Sequence, residues 1–265
     1  MQDIVWVDQP TLGSRSLSRR GHALALRSPD AHNPLFGRRS MGGALSSLPG
    51  RIFSILAFAA TLVLWRWIAH FTRPLWFSPA VALLAPALIF PVVWWGRTSL
   101  DHDPTAGHAA GVTRVVHVLT MIVIGSALIS AVVAGHRLPW GWFPFPSILA
   151  GILTTITAVM VLLTVLNLAA RGLGAPWAIS LSQRLATDWL YARTRNPMVL
   201  ALTVFLFCLG LQLRSSLFLL WLAAVFVPAM VVFLHFYEER ELEIRFGESY
   251  RQYRSVTPMF FPRLR

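Results

Sequence analysis

Six long apolar stretches constrain the fold of this 265-residue chain more strongly than any other feature. They run approximately over residues 52–71, 76–95, 113–134, 146–169, 197–213 and 216–236. A helix needs about 20 mostly apolar residues to cross the hydrocarbon core of a bilayer, and most of the stretches have this length. The backbone of such a stretch must satisfy its own polar groups in lipid, which helices do. The sequence therefore predicts an all-α fold, a polytopic transmembrane helical bundle with about six spans.

The distribution of arginines predicts the orientation of this bundle. The formal net charge is +12, and the arginines are concentrated in residues 15–51, 184–195 and 240–265. Short cytoplasmic segments of membrane proteins carry the positive excess, and an even number of predicted spans precedes each of these segments. We therefore expect both termini to lie in the cytoplasm, with the protein in the cell (inner) membrane. This placement of the charge argues against nucleic acid as a partner.

The same patterns divide the chain into three parts. Residues 1–50 are rich in Arg, Ser, Gly and Pro and lack the apolar core of a signal peptide. They are expected to form a disordered basic tail, unless the working protein begins near Met41. Residues 51–170 are expected to hold four transmembrane helices, and residues 171–265 to carry the chemistry. The lone Cys208 excludes an intramolecular disulfide, and nothing in the sequence indicates an obligate protein partner.

The carboxylates of residues 238–248 are the first candidates for that chemistry. All five glutamates of the chain lie in this window, directly after the last apolar stretch, and the adjacent pair Glu238–Glu239 begins it. An ionised carboxylate beneath a helical bundle needs a cation or several hydrogen-bond donors. The pair therefore predicts a polar binding site at the membrane edge.

A structural explanation is adequate for the remaining glutamates. Glu241 and Arg245 have the spacing and the order of a helical ion pair. Together with Glu243 and Glu248 they fit the charged face of a solvated juxtamembrane helix. On this interpretation Glu238 and Glu239 stand at a hinge between that helix and the sixth span.

A second candidate corner precedes the fifth span. Asn196 is a favourable N-cap residue and Pro197 is favoured in the first helical turn. Arg195 adds a guanidinium beside the unpaired N–H groups of a helix N-terminus, an arrangement that suits a small anion. The same residues are also fully explained as an ordinary helix start.

The two regions together resemble the isoprenylcysteine carboxyl methyltransferase family and its phospholipid methyltransferase relatives. The resemblance covers about residues 171–265 and rests on the order and spacing of its elements. These elements are Tyr191, Arg195-Asn196-Pro197, Glu238-Glu239-Arg240-Glu241-Leu242, Phe246-Gly247, Tyr250 with Tyr253, and Pro258 with Pro262. Two positions depart from the family pattern, with Trp189 where a glycine is usual and Val199 where an aromatic residue is frequent.

The resemblance implies methyl transfer from S-adenosylmethionine, bound from the cytoplasm, to an acceptor that arrives from the lipid. It implies that five residues near the fifth span bind the cofactor, namely Leu185, Tyr191, Asn196, Pro197 and Met198. Glu238 would bind the cofactor from the other side, while Arg195 and Glu239 would complete the catalytic polar floor. The acceptor would be a lipophilic molecule or a small thiol, carboxyl or amine compound, with membrane lipid as the surrounding partner.

Two other functions remain open at this stage. A sterol-type membrane reductase that uses NADPH has a similar pattern of Gly, Tyr and Pro in its tail, although the Glu-Glu pair favours the methyltransferase. A divergent, non-catalytic membrane protein is the other alternative. A short run of polar residues, Asp101, His102, Asp103 and His108, is interpreted as a loop after the second span and predicts no metal site.

Overall fold

A computed structural model describes residues 48–71, 74–138, 144–170, 185–187 and 189–261. The predicted basic tail, the Gly172–Gly174 pair and Pro262 lie outside these residues. The described residues form seven helices. They are α1 (Leu48–His70), α2 (Phe77–His102), α3 (Ala106–Arg137), α4 (Ser147–Ala170), α5 (Pro197–Gln212), α6 (Ser216–Phe246) and α7 (Glu248–Val256).

The predicted all-α polytopic membrane fold is confirmed. Five of the helices, α1, α2, α3, α4 and α6, are long and apolar enough to cross a membrane. The predicted fifth span is α5, whose 16 residues extend about 24 Å and so fall short of the roughly 30 Å hydrocarbon core. The protein is thus an integral membrane protein, and the side on which its termini lie stays a prediction.

Helix α3 is the centre of the bundle. Helices α1, α2 and α6 all pack against it, while α4 packs along α5. Its buried face is lined by small and β-branched residues such as Ala109, Val116 and Ala127, which let neighbouring helices approach closely. In contrast, α1 and α4 expose large apolar side chains such as Leu56, Val63, Ile152 and Leu163. Exposed apolar surface on these helices is what a lipid environment requires.

Helix α6 changes its winding twice before it ends. It widens into π-helical turns at Leu222–Phe226 and at Phe233–Glu238. Pro228 accounts for the first, because proline has no N–H and its ring conflicts with the carbonyl four residues earlier. The helix then continues through Phe246 and stops at Gly247, which has a φ of +57° that favours glycine. The predicted hinge at Glu238–Glu239 is therefore wrong: the break lies eight residues beyond Glu239.

Gly96 permits the closest approach between α2 and α6. A Cβ atom at this position would lie 2.7 Å from the ring of Tyr237 and 2.7 Å from a methyl of Val116. We expect Gly96→Ala to destabilise the folded protein by about 1–3 kcal/mol through overpacking. Gly111→Ala is the matched control, since nothing lies within 4 Å of its added methyl. The measurement is the free energy of unfolding in detergent, and equal effects of both substitutions would contradict the prediction.

Candidate active site

The segment after α7 crosses over the start of α5 and fixes it. The backbone N–H of Arg195 donates to the carbonyl of Pro258 (2.9 Å). The carbonyl of Met259 accepts from Thr194 Oγ1 (2.9 Å) and from Asn196 Nδ2 (3.2 Å). Asn196 does occupy the N-cap position of α5, but its side chain makes no capping bond there. The polar residues before α5 thus hold the segment that follows α7.

Arg195 and Glu239 form an ion pair beneath the bundle, 2.6 Å from Nη1 to Oε1. Their side chains are only 12% and 8% exposed. The same nitrogen of Arg195 lies 3.4 Å from the hydroxyl of Tyr250. The Nε of Arg195 is buried and has no hydrogen-bond partner among the described residues. The two sequence candidates are therefore brought together, and one donor of the pair stays available.

Two further side chains, Arg254 and His235, approach Glu239. Arg254 of α7 places Nη2 3.1 Å from Oε2 of Glu239, and its Nη1 lies 2.6 Å from Glu243. His235 lies 3.5 Å from Oε2, one helical turn before Glu239. Arg254 is not evident as a site residue from the sequence, because its position relative to Glu239 depends on how the chain turns at Gly247. Glu239 thus has partners from three segments of the chain.

Three tyrosines enclose the pair on the side of the chain's end. Tyr253 donates from its hydroxyl to the carbonyl of Tyr191 (2.7 Å). Burial raises the pKa of Tyr191 to about 12, and the nearby carboxylate of Glu238 adds to the shift. Burial, with the charge of Glu239, also raises the pKa of Tyr250 to about 12. The pKa of Tyr253 is raised by burial as well. These phenols are neutral hydrogen-bonding groups at physiological pH.

The raised pKa values predict a loss of stability in strong alkali. The unfolded chain ionises its tyrosines near pH 10, whereas folded Tyr191 and Tyr250 ionise near pH 12. Their contribution is therefore complete below pH 10 and falls away as the pH rises from 10 to 12. Tyrosinate absorbance of the folded protein, compared with Tyr191→Phe and Tyr250→Phe variants, measures the effect. Titration of both residues near pH 10 in the folded state would contradict it.

Glu238 differs from its neighbour Glu239. Its side chain is half-buried, and within the described part of the chain it makes no hydrogen bond or ion pair. Its charge acts on Tyr191 and Tyr250, so it lies close to the polar cluster that Tyr250 forms with the Arg195–Glu239 pair. The nearest carboxylates, Glu239 and Glu241, repel it. A half-buried carboxylate with repulsive neighbours and no partner among the described residues is the arrangement expected of a group that receives a cation or a hydroxyl.

The other predicted cofactor residues lie in the segment before α5 and in its first turn. Pro197 is buried and Met198 is half-buried in the first turn of α5. Leu185 is half-buried in the short irregular segment 185–187. Tyr191 lies in a 3-10 turn, Trp189–Ala192, directly before α5. The structure gives no direct contact that assigns Leu185 or Met198 to a ligand.

The two departures from the family pattern have different structural consequences. Trp189 begins the turn that carries Tyr191 and has a φ of +54°, in the left-handed region that favours glycine. Tryptophan at this position therefore places backbone strain in the candidate site. Val199 is half-buried and packs against the hydrophobic core. Its small apolar side chain contributes to packing within the bundle.

Glu241 is not on a solvated helix face, so this part of the sequence interpretation is wrong. Glu241 and Arg245 do form the predicted ion pair, but their side chains are both buried. The pair lies where α6 packs on α3. The interpretation failed because it placed a helix break at Glu238, whereas the continuous helix carries Glu241 back into the bundle.

The short polar run after the second span is also more ordered than predicted, since Asp101 and His102 belong to α2. Among the described residues no cluster suited to a metal ion is found.

An apolar crevice lies at the opposite end of α6. It has a volume of about 360 Å³ and lies between α2, α3 and α6, where its lining includes Ala82, Ala131, Leu217 and Trp221. Trp221 is oriented by a hydrogen bond from its indole N–H to the carbonyl of Ala82 (2.8 Å). Val225, at the inner end of the lining, precedes Glu238 by 13 residues, or about 20 Å along the helix. The crevice is therefore separate from the polar cluster around Arg195 and Glu239.

Part of the chain that carries these residues matches a known family. Residues 145–249 match the family model of phospholipid methyltransferase. The matched region includes α4, α5, α6 and therefore Arg195, Glu238 and Glu239. No curated protein and no solved structure gave a significant match to the chain. Residues 145–249, less than half of the chain, are thus similar to the phospholipid methyltransferase family.

Proposed function

We propose that the protein transfers a methyl group from S-adenosylmethionine to a lipophilic or small thiol, carboxyl or amine acceptor. The observation that carries the proposal is the isolated carboxylate of Glu238 next to the Arg195–Glu239 pair. All three residues lie in the region that matches the phospholipid methyltransferase family. The active site is expected to face the cytoplasm of the cell membrane. This orientation follows the arginine distribution described above.

The polar groups of the candidate site suit S-adenosylmethionine. Glu238 can accept hydrogen bonds from an ammonium group or from ribose hydroxyls, and its charge favours a sulfonium. The buried Nε of Arg195 can donate to a carboxylate or hydroxyl oxygen, because no described residue takes that bond. Leu185, Tyr191, Asn196, Pro197 and Met198 would form the remaining wall, on the side of α5. When bound, S-adenosylmethionine would supply an electrophilic methyl group, whose bond to sulfur breaks as a nucleophile attacks the carbon in line and S-adenosylhomocysteine leaves.

The chain's own residues contribute alignment and electrostatics. Arg195 is held by Glu239, by Tyr250 and, through its backbone, by Pro258, so that its guanidinium is fixed before any ligand arrives. Such preorganisation lowers the barrier of a transfer that needs geometry more than acid–base help. Glu239 acts as a catalytic partner of Arg195 by keeping the guanidinium in place. The apolar faces of the surrounding helices would exclude water and admit an acceptor from the lipid.

Binding of the demethylated product, S-adenosylhomocysteine, tests the proposal. The purified protein is expected to show a rise in its thermal unfolding temperature with S-adenosylhomocysteine and none with NADPH. A shift with NADPH alone would favour the sterol-type reductase. If neither compound shifts the transition, the non-catalytic alternative stands. If S-adenosylhomocysteine binds, incubation with a labelled methyl donor and a total lipid or thiol extract would identify the acceptor.

A further inference from the structure

The π-helical turn Phe233–Glu238 determines the direction in which Glu238 and Glu239 point. The N–H of Glu239 donates to the carbonyl of Leu234, five residues earlier, rather than four. One additional residue in a turn rotates everything that follows by about 100° relative to a regular α-helix. If this turn became α-helical, Glu239 would no longer face Arg195 from its present position. The site therefore depends on maintaining the π-turn.

Unlike the first π-turn of α6, the second contains no proline. Local sequence therefore gives no strong reason for the widened winding, and tertiary contacts must favour it. Such turns occur frequently at functional sites, where the gain in side-chain placement offsets weaker backbone hydrogen bonds. The contacts that hold this turn come from α2 and α3.

Helix α2 contacts the π-turn at three levels. Gly96 leaves room for the ring of Tyr237, as described above. Arg97 donates from Nη1 to the carbonyl of Phe236 inside the turn (3.2 Å). Asp101 accepts from Arg97 Nε (2.8 Å) with one oxygen and from Arg240 Nε (2.7 Å) with the other. The carboxylate of Asp101 thus links Arg97, which donates to the π-turn, to Arg240, which directly follows Glu239.

Helix α3 holds the turn from another direction. The hydroxyl of Tyr237 hydrogen-bonds to Thr113 Oγ1 (3.0 Å), and both side chains are buried. Phe233, one turn earlier, packs edge-on against the ring of His117. With α3 fixing Phe233 and Tyr237, the contacts from α2 decide the position of Phe236 and Arg240 on the outer side. The turn is therefore clamped between two helices.

We propose that Arg97 and Asp101 are positioning residues that hold the π-turn of α6 so that Glu238 and Glu239 face the candidate active site. This inference rests on the proposed function for its activity readout, but its structural content is independent. Both residues lie in α2, outside the matched region 145–249. The contacts that Arg97 and Asp101 make to the π-turn and to Arg240 are here called the clamp. The clamp would give the amino-terminal helices a role in cofactor binding.

The clamp can be distinguished from an ordinary surface ion pair. The side chains of Arg97, Asp101 and Arg240 are between 30% and 43% exposed, and ion pairs with such exposure contribute little to stability. If the clamp only stabilises the fold, its loss should change both stability and ligand binding slightly. If it positions Glu238 and Glu239, its loss should weaken ligand binding far more than stability.

Asp101→Asn is the decisive variant, because it keeps the size of the side chain and removes the charge that both arginines share. We expect the dissociation constant for S-adenosylhomocysteine to rise about tenfold, which is a typical size for the coupling between two distant sites. The thermal unfolding temperature should fall by no more than about 2 °C. Asp101→Glu should restore part of the affinity. Glu248→Gln is the matched control, since Glu248 is also an exposed carboxylate paired with an arginine, in α7.

Two further measurements keep the inference testable whatever the ligand result. Asp101→Asn in a Glu238→Gln background should cause less additional loss of binding than it causes in the wild type, because part of the effect of the clamp is exerted through Glu238. Amide hydrogen exchange should accelerate over residues 236–241 in Asp101→Asn and remain unchanged in Glu248→Gln. Wild-type protein that fails to bind the compound, with faster local exchange in the variant, would overturn the proposed function and keep the clamp. Unchanged exchange and unchanged affinity in Asp101→Asn would overturn the clamp.

Discussion

Glu238→Gln is expected to reduce the affinity for S-adenosylhomocysteine by about 10- to 100-fold. A hydrogen bond to a charged group contributes about 1.5–3 kcal/mol, and each 1.4 kcal/mol is a factor of ten in the dissociation constant. The carboxyl group of Glu238 makes no hydrogen bond or ion pair to the described residues, so its two oxygens are available to a ligand. Glutamine has nearly the same shape but cannot balance a cation. Isothermal titration calorimetry of the purified protein in detergent measures the change.

Stability should change in the opposite direction in the same variant. The charge of Glu238 is repelled by Glu239 and Glu241 and is partly removed from water, so removing it relieves an unfavourable interaction. We therefore expect Glu238→Gln to unfold at the wild-type temperature or above it. Loss of binding together with retained or increased stability is typical of a functional residue. The exposed Glu248 provides the control, because Glu248→Gln should alter neither property. A variant that binds normally, or that loses binding only because it unfolds, would exclude Glu238 from the site.

The sequence was most informative where a single physical requirement determines the outcome. Long apolar stretches must become helices in lipid, so the bundle followed directly, and α5 was mistaken for a full span only because its apolar run nearly reaches the required length. Arg195 and Glu239 were found through motif spacing on both sides of a hairpin. The hairpin itself is short because Arg214 adopts a positive φ and Ser215 caps the next helix. These are local features that a sequence states clearly.

What the sequence did not predict depends on tertiary contacts. The run of charges after Tyr237 indicated a helix leaving the bundle, but the helix continues, and Glu241 is buried with Arg245 against α3. The π-turn before Glu239 has no proline or glycine to reveal it and is favoured by contacts from Gly96 and Arg97 on a distant helix. Arg254 reaches Glu239 only because the chain reverses at Gly247. Such placements require the packed structure.

Glu239→Gln should destabilise the protein by about 3–5 kcal/mol, in contrast to the same change at the adjacent position. Glu239 is the shared partner of Arg195, Arg254 and His235 and is only 8% exposed. Removing one member of a buried ion pair leaves the other charge uncompensated, which costs far more than the net contribution of the pair. The free energy of unfolding, measured by denaturant titration in mixed micelles, reports the effect.

The double variant Glu239→Gln, Arg195→Met separates this explanation from a general loss of packing. Because the second substitution removes the uncompensated charge, the double variant should be more stable than the sum of the two single effects predicts. The exposed pair Glu248–Arg251 serves as the control, and its loss should cost about 1 kcal/mol or less. If Glu239→Gln is no more harmful than Glu248→Gln, the pair beneath the bundle does not support the fold. Adjacent glutamates with opposite effects on stability would show that one carboxylate holds the site together and that the other is kept available for a ligand.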